Sequence, residues 1–336
     1  MRLDRLFACA VASAALCAAP LAAAQDTRSY VLATATTGGT YYPVGVAIAT
    51  LVKVKLQATH KIDMSAISSA GSGENVKLMR EKQAPFAILQ GLFGKYAREG
   101  SGPLQPDGPQ PNIRSVAMLW SNVEHFIVAS EFAKTGTVDD LANLVGRKFV
   151  IGARNSGTEH SNRFLLTNLG YAPEKFDLVY LGFGPSIDAL QNGTAAGTNP
   201  GAGPPVAVVT RAFAQMGDKV RLLEFTDEQL KRADAGTGLF YRFVVPAGTY
   251  PGQTKDFNTI AQPNFLAVNA DVSEQDVYLI TKTIYENLPF LQNIHAATKE
   301  MSLKNAVAGL PLPLHPGALR FFREAGVAVP ERLIAK

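Results

Sequence analysis

Three times along this chain of 336 residues a short apolar run gives way to a polar, glycine-bearing loop and then to a helical stretch. Tyr30 to Ala35 leads to Thr36-Thr37-Gly38-Gly39-Thr40. Ile62 to Ser68 leads to Ala70-Gly71-Ser72-Gly73, and Lys148 to Ala153 leads to Asn155-Ser156-Gly157-Thr158. Strands alternating with helices predict α/β lobes with largely parallel sheets. In open sheets of that kind the loops after the strands gather at the carboxyl edge, where ligands bind.

The chemistry of these loops suits an acid ligand. Glycine lets backbone approach a ligand closely and adopt positive φ. Ser and Thr cap helix ends and turn hydroxyls outward. The first N–H groups of a helix lack an internal partner and carry partial positive charge, so they hold carboxylate or phosphate without an arginine. The expected ligand contacts are therefore Thr36, Gly38, Gly39, Thr40 and Tyr41 on the first loop, Ser72 and Gly73 on the second, and Ser156, Gly157 and Thr158 on the third. Gln90, which ends the strand Phe86 to Gln90, either enters the cleft or closes a turn. Tyr41 and Tyr42 divide between pocket wall and core, while Glu74 and Asn75 suit a first helical turn. Any one such loop is also ordinary turn chemistry; the recurrence is what points to a ligand.

The remaining chain extends this pattern. Pro43 opens a helical stretch to Leu56, Glu74 to Lys82 is a helix, and the proline-rich segment Glu99 to Pro111 is an exposed loop. Val116 to Ser130 gives two β-like runs either side of Ser121-Asn122 and crosses between lobes. Thr137 is an N-cap with Asp140 three residues on. A helix runs from the third loop to Leu169. Asp177 to Gly182 and Val206 to Thr210 are strands, separated by a Gly/Pro-rich loop from Gln191 to Pro205 that is long enough for a binding role. Two more β-like runs, around Val245 and from Thr259 to Val268, precede helical material from Ser273 onward.

The start of the chain reads as a secretory leader over residues 1–24: Arg2 and Arg5, then an apolar run, then Ala22-Ala23-Ala24. Both cysteines, Cys9 and Cys17, fall inside it, so the remainder would fold without disulfides and without thiolate metal sites. The net charge of +4 is spread without a basic block, which argues against nucleic acid. His60, His125, His160, His295 and His315 are scattered, with no HExxH and no G-x-S-x-G motif, and neither a catalytic group nor a metal or cofactor is expected. A hydrolase using Ser156 and His160 is the enzymatic rival.

The segments TTGGTYYPVGVAIA (36–49), SAGSGENVKLM (69–79), GRKFVIGARNSGT (146–158), VPAGTYPGQTKDFNTIAQPNFLAV (245–268) and PLHPGALRFFREAG (313–326) together resemble the TAXI-type solute receptors of tripartite ATP-independent periplasmic (TRAP) transporters. That resemblance implies a two-lobed, type II-like periplasmic binding protein fold with crossing strands and an interlobe cleft. The first lobe would hold 25–123 with 264–336, and the second 124–263. It also implies capture of a glutamate-like, dicarboxylate or 2-oxoacid ligand in the periplasm, and delivery to TRAP membrane subunits driven by an ion gradient; with no evident coiled coil in the sequence, a monomer is expected. Its binding loops fall on Thr36 to Tyr41, on Ser72 and Gly73, and on Ser156 to Thr158. Two departures bear on the cleft: Gly91-Leu92 stands where many relatives have Ser-Asp, and Gly193 to Pro205 is richer in Gly and Pro. His315 reads as structural. A receptor feeding a signalling partner, or a module of an ATP-driven importer, would share these features.

Overall fold

The computed structural model describes residues 26–335; the expected leader, with Cys9 and Cys17, lies outside them. The first part of the chain folds as β1 (Arg28–Ala33), α1 (Tyr41–His60), β2 (Ile62–Ile67), α2 (Ser72–Arg80), β3 (Phe86–Gln90), α3 (Gly91–Glu99) and β4 (Ile113–Val123). The middle contributes β5 (Ile127–Ala129), β6 (Lys148–Val150), α4 (Gly157–Leu169), β7 (Asp177–Val179), α5 (Phe183–Gln191), β8 (Gly197–Thr198), α6 (Ala207–Met216), β9 (Val220–Leu222), α7 (Asp227–Asp234) and β10 (Tyr241–Val245). The long strand β11 (Phe257–Asn269) returns to the first part and is followed by α8 (Glu274–Glu286), α9 (Leu288–Ile294) and α10 (Pro316–Glu324).

Two sheets organise these elements. One runs β10-β11-β3-β1-β2 with β4 beside β11; the other runs β7-β6-β8-β5-β9. Each parallel core (β2-β1-β3 and β7-β6-β8) is extended by antiparallel strands, so the sheets are mixed and not largely parallel as expected. The cause is the crossing pair: β4 leaves the first sheet and β11 comes back beside it, which forces antiparallel pairing along both. One apolar core spans Leu32 to Trp120 and Phe265 to Leu333. Two further clusters lie between Val123 and Ala261, joined by Leu92. The fold is thus two α/β lobes bridged by β4 and β11.

Several local expectations change. β4 continues straight through Ser121-Asn122 and breaks only at Glu124 to Phe126, because pairing with β11 holds that stretch extended. Val206 to Thr210 is not a strand: Val208, Val209 and Ala212 make a helical stripe that packs inward, and α6 forms instead. The segment Glu99 to Pro111 is not simply exposed, since a 3₁₀ turn from Gly102 to Asp107 buries Leu104, and Gln110 is buried behind it. Helix α3, unforeseen, starts directly after Gln90. Asp140 does not complete a cap at Thr137, which instead accepts from Asp139 N; the Asp140 carboxylate accepts from the N–H groups of Thr135 and Gly136. The chain beyond Ser273 is broken by irregular turns between α9 and α10. His315 caps α10 by accepting from Gly317 N through Nδ1.

Asn75 is more than a first-turn residue. Fully buried, it donates through Nδ2 to Thr34 O at 2.7 Å and Ile88 O at 3.0 Å, while its Oδ1 accepts from Ser69 Oγ at 2.6 Å. It therefore ties the carboxyl ends of β1 and β3 to the loop after β2, fixing the edge on which two of the three glycine loops stand. A buried donor or acceptor left without its partner costs about 1–3 kcal/mol. Replacing Asn75→Leu removes the amide donor to Thr34 O and Ile88 O and the acceptor for Ser69 Oγ, leaving the Ser69 hydroxyl and Thr34 O only the bond they make to each other and the Gly71 N–H. We expect a loss of about 2–4 kcal/mol in urea unfolding on that scale; a loss below about 1 kcal/mol would show that the loops do not depend on this clamp.

Candidate functional site

The two lobes face each other across a small cavity onto which the N-termini of α1, α2, α4 and α5 open. The sequence dictates each approach. Gly71, which precedes α2, has φ of 123° and so requires glycine. Ser156 caps α4, its Oγ accepting from Glu159 N at 2.9 Å. Gly182 precedes α5, and Thr40 precedes α1 without a side-chain cap of its own. The first N–H groups of α2 and α4, on Ser72, Gly157 and Thr158, find no acceptor among the described residues. Four helix ends, each carrying roughly half a positive charge, thus point at one cavity, and no Arg, Lys, Asp or Glu lines it.

The lobes are nearly shut. The cavity holds ≈ 30 Å³, on the order of two water-sized spheres. Four contacts cross it. Glu74 N donates to Asn155 O at 3.0 Å, and Thr40 Oγ1 donates to Gly203 O at 3.0 Å. Ser161 Oγ on α4 donates to Gln90 Oε1 at 2.9 Å, and Gly38 and Gly39 lie against Val208 and Phe183. Gln90 also donates its N–H to Ser72 Oγ, and Ser161 accepts from Gln262 Nε2 on β11, so one hydrogen-bonded chain links the second loop, α4 and the crossing strand.

Of the expected site residues, Thr36, Gly39, Thr40, Tyr41, Ser72, Gln90, Ser156, Gly157 and Thr158 are brought together on the cavity. Gly38 and Gly73 are not on its lining; both serve the contact between lobes. Tyr41 is a wall, its hydroxyl bonded to Asn264 Oδ1, while Tyr42 stays off the cavity. Gly201 and Ala202, within the Gly/Pro-rich segment, do line it. That segment is not all loop, since β8 forms inside it, where Gly197 lets the chain lie close to Val128 and Leu144. Gly91-Leu92 stays out of the cavity: Leu92 packs into the second lobe's core, and a Cβ on Gly91 would meet Leu239 and Pro263.

Sequence reasoning missed Asn122, Gly182 and Phe183. A signal for the last two was present, because Leu178 to Gly184 repeats the strand, glycine loop and helix order a fourth time. It also missed a polar cluster behind Asn122 and Gly201. There Glu124, 1% exposed, accepts from Asn199 Nδ2 at 2.7 Å; Asn199 also donates to Asn162 Oδ1, and its Oδ1 accepts from His125 N. Burial pushes the Glu124 carboxyl up to about 7 despite amide donors from Asn199, Gln262 and Asn122. Burial likewise pushes His125 down to about 4; its Nδ1 faces Val123 O and its Nε2 the Tyr250 hydroxyl, so its ring is neutral near pH 7.

The hydrolase geometry is not assembled. No side-chain hydrogen bond joins Ser156 and His160 among the described residues; the Ser156 hydroxyl caps its helix, and His160 packs edge-on against Phe93 at 5.5 Å. Burial holds the His160 imidazole below its usual range.

Solved structures share this architecture. A Bordetella bronchiseptica protein aligns over 90% of this chain and 85% of its own, with a TM-score of 0.54 and 16% identity. PhnD1 from Prochlorococcus marinus, in complex with methylphosphonate, aligns over 90% of this chain and 100% of its own, with a TM-score of 0.53 and 13% identity. Fold and site together define a two-lobed periplasmic-binding-protein fold closed on an interlobe cavity. Within that class, the chain belongs to the NMT1-like family, which it matches over residues 32–326.

At Gly157 the lobes approach closely on side chains. A Cβ there would sit 2.6 Å from Gln90 Oε1 and 2.9 Å from Ser72 Oγ, both on the first lobe. In the second lobe alone Gly157→Ala meets no obstacle of that kind. Overpacking costs about 1–3 kcal/mol, here charged only to the closed form. We expect the urea midpoint to stay put while calorimetry shows any cleft ligand binding roughly tenfold to a hundredfold more weakly. Unchanged affinity in the folded variant would mean that ligand-bound closure stops short of this contact.

Proposed function

We propose that this protein is a periplasmic receptor that captures a small carboxylate-bearing solute, glutamate-like, dicarboxylate or 2-oxoacid, and delivers it to the membrane subunits of a TRAP transporter as a TAXI-type receptor does. The observation carrying this reading is the convergence of four helix N-termini on a cavity without a charged side chain. Such a site favours an anion held by backbone N–H groups and hydroxyls. Membership of the NMT1-like family and the two-lobed fold support a binding protein over an enzyme. The five segments that resemble TAXI-type receptors support the transporter type, and the leader expected over residues 1–24 supports the periplasm.

In this reading residues 25–123 with 264–336 and residues 124–263 are the moving lobes, and the protein acts as a monomer. Ligand drives closure by touching both lobes at once, which gives the closed state its differential affinity. Thr36, Gly39, Thr40, Tyr41 and Ser72 offer contacts from one side and Ser156, Gly157 and Thr158 from the other.

A second reading takes the anion as a phosphonate, because PhnD1 is seen with methylphosphonate in a related fold. Thermal unfolding of the protein with L-glutamate, succinate, 2-oxoglutarate, methylphosphonate and neutral amides separates the two, since a ligand bound only by the folded state raises the melting point by mass action. A rise with one or more carboxylic acids, lost in Ser156→Leu, is the expected result. A rise with methylphosphonate alone favours the second reading, and a rise only with the neutral amides overturns the anion site.

A further inference from the structure

Glu124 stands where the chain leaves β4 for the second lobe, on the bend that any relative motion of the lobes must flex. Its own backbone is pinned to β11: Glu124 N donates to Ile260 O at 2.9 Å, and its carbonyl accepts from Thr259 Oγ1 at 2.8 Å. Its side chain lies directly behind the cavity wall, since a Cβ on Gly201 would fall 2.9 Å from Glu124 Oε2 and 2.8 Å from Asn122 Nδ2. Gly201 and Asn122 both line the cavity, so only one residue of thickness separates this carboxyl from a bound solute.

Every group that faces it is neutral. Amides arrive from β4 (Asn122), from the turn after β8 (Asn199) and from β11 (Gln262), and no ion pair reaches it among the described residues. Two titratable groups are near. The Tyr41 hydroxyl of α1 is held protonated by burial, and the neutral His125 ring turns away toward Tyr250. On the opposite face of β4, Glu300 is occupied with Ser121. A buried, ionised carboxylate in such surroundings would repel an anion in the adjoining cavity, which itself supplies dipoles but no cation to offset the repulsion.

We propose that Glu124 is a proton-carrying latch: it holds a proton when the cleft is closed and gives it up as the lobes part and water reaches the wall at Gly201 and Asn122, so that closure over an anion takes up one proton. The cover removed on opening is specific, because Thr40 Oγ1 of the first lobe holds Gly203 O, in the segment that carries Gly201. The sign follows from the raised carboxyl. Closed and liganded protein binds more protons than open or unfolded protein, so affinity and stability are full below the ordinary carboxylate range and fall as pH rises to about 7. Above that they level off.

The anion-linked part rests on the proposed function; the proton on Glu124 does not, and two measurements keep them apart. Melting points of ligand-free protein and of Glu124→Gln, a neutral near-isostere, are compared from pH 5 to pH 8. The variant is expected to gain on the natural protein as pH rises and then to hold its lead above pH 7. A constant difference overturns the proton on Glu124. Calorimetry with 2-oxoglutarate in buffers of different ionisation enthalpy should show uptake of up to one proton. Affinity should fall with pH toward the one-proton limit of about tenfold per unit, with neither effect in Glu124→Gln. Binding without proton uptake overturns the latch. Failure of 2-oxoglutarate to bind at any pH removes it as the ligand, while the melting comparison still decides the state of Glu124.

Discussion

The closed arrangement depends on glycines that let the backbone of one lobe come directly against atoms of the other. At Gly73 and Asn155, and again at Gly157 against Ser72 and Gln90, the lobes come so near that a single methyl group would strike atoms 2.4 to 2.9 Å away. This constraint explains why the loops are glycine-rich. It is also what allows helix ends from both lobes to address one small volume. A helix dipole acts mainly over its last turn, so the four ends cooperate only if the gap between lobes is this narrow. Glycine at the contact, short helices behind it and hydroxyls around it are parts of one solution.

Much of that solution was legible in the sequence, because it is local. The strand, glycine loop and helix order is local each time, and it placed Thr36, Gly39, Thr40, Tyr41, Ser72, Ser156, Gly157 and Thr158 on one cavity. What resisted reading was set by partners distant in the chain. Gln90 is defined by Ser161 and Ser72, Asn122 by the approach of Gly201, and Glu124 by Asn199, 75 residues on. Nothing adjacent to a lone Glu announces that its surroundings are amides. Val206 to Thr210 misled because β-branched residues suit a strand in isolation, whereas the burial of Val208, Val209 and Ala212 on one side decided for a helix. The fourth loop, Gly182 to Gly184, carried the same glycine signal as the other three but holds an aromatic residue between its glycines and no Ser or Thr.

The crossing strands do more than connect. β4 and β11 pair from Ile113 to Val123 against Ala261 to Asn269, with register shifts between Asn264 and Phe265 and between Leu266 and Ala267. Asn264 and Gln262 sit at the cavity end of this ladder and turn their amides toward Tyr41, Asn122 and Ser161. β10 then extends the same sheet beside the second lobe's core. A rigid ladder ending in polar side chains is suited to a binding protein: it resists shear along the strands, and the chain bends only after Val123, where a single backbone bond from Glu124 N to Ile260 O and side-chain bonds replace the ladder.

On the proposed reading, the protein must also release what it captures. A buried arginine would bind a carboxylate strongly, and leaving it unpaired on release would cost several kcal/mol. Dipoles and hydroxyls avoid that penalty, because an empty helix end is readily solvated once the lobes part. The absence of charged side chains from the cavity lining therefore favours reversible capture over the tightest possible hold. The same reasoning gives meaning to the acid placed behind the wall. Glu124 adds no attraction for an anion; it makes the stability of the closed form conditional on a proton, so release becomes sensitive to conditions that leave the helix dipoles untouched. A fixed field that attracts the ligand and a single titratable group that modulates closure are separable functions, and in this protein they occupy opposite sides of one glycine, Gly201.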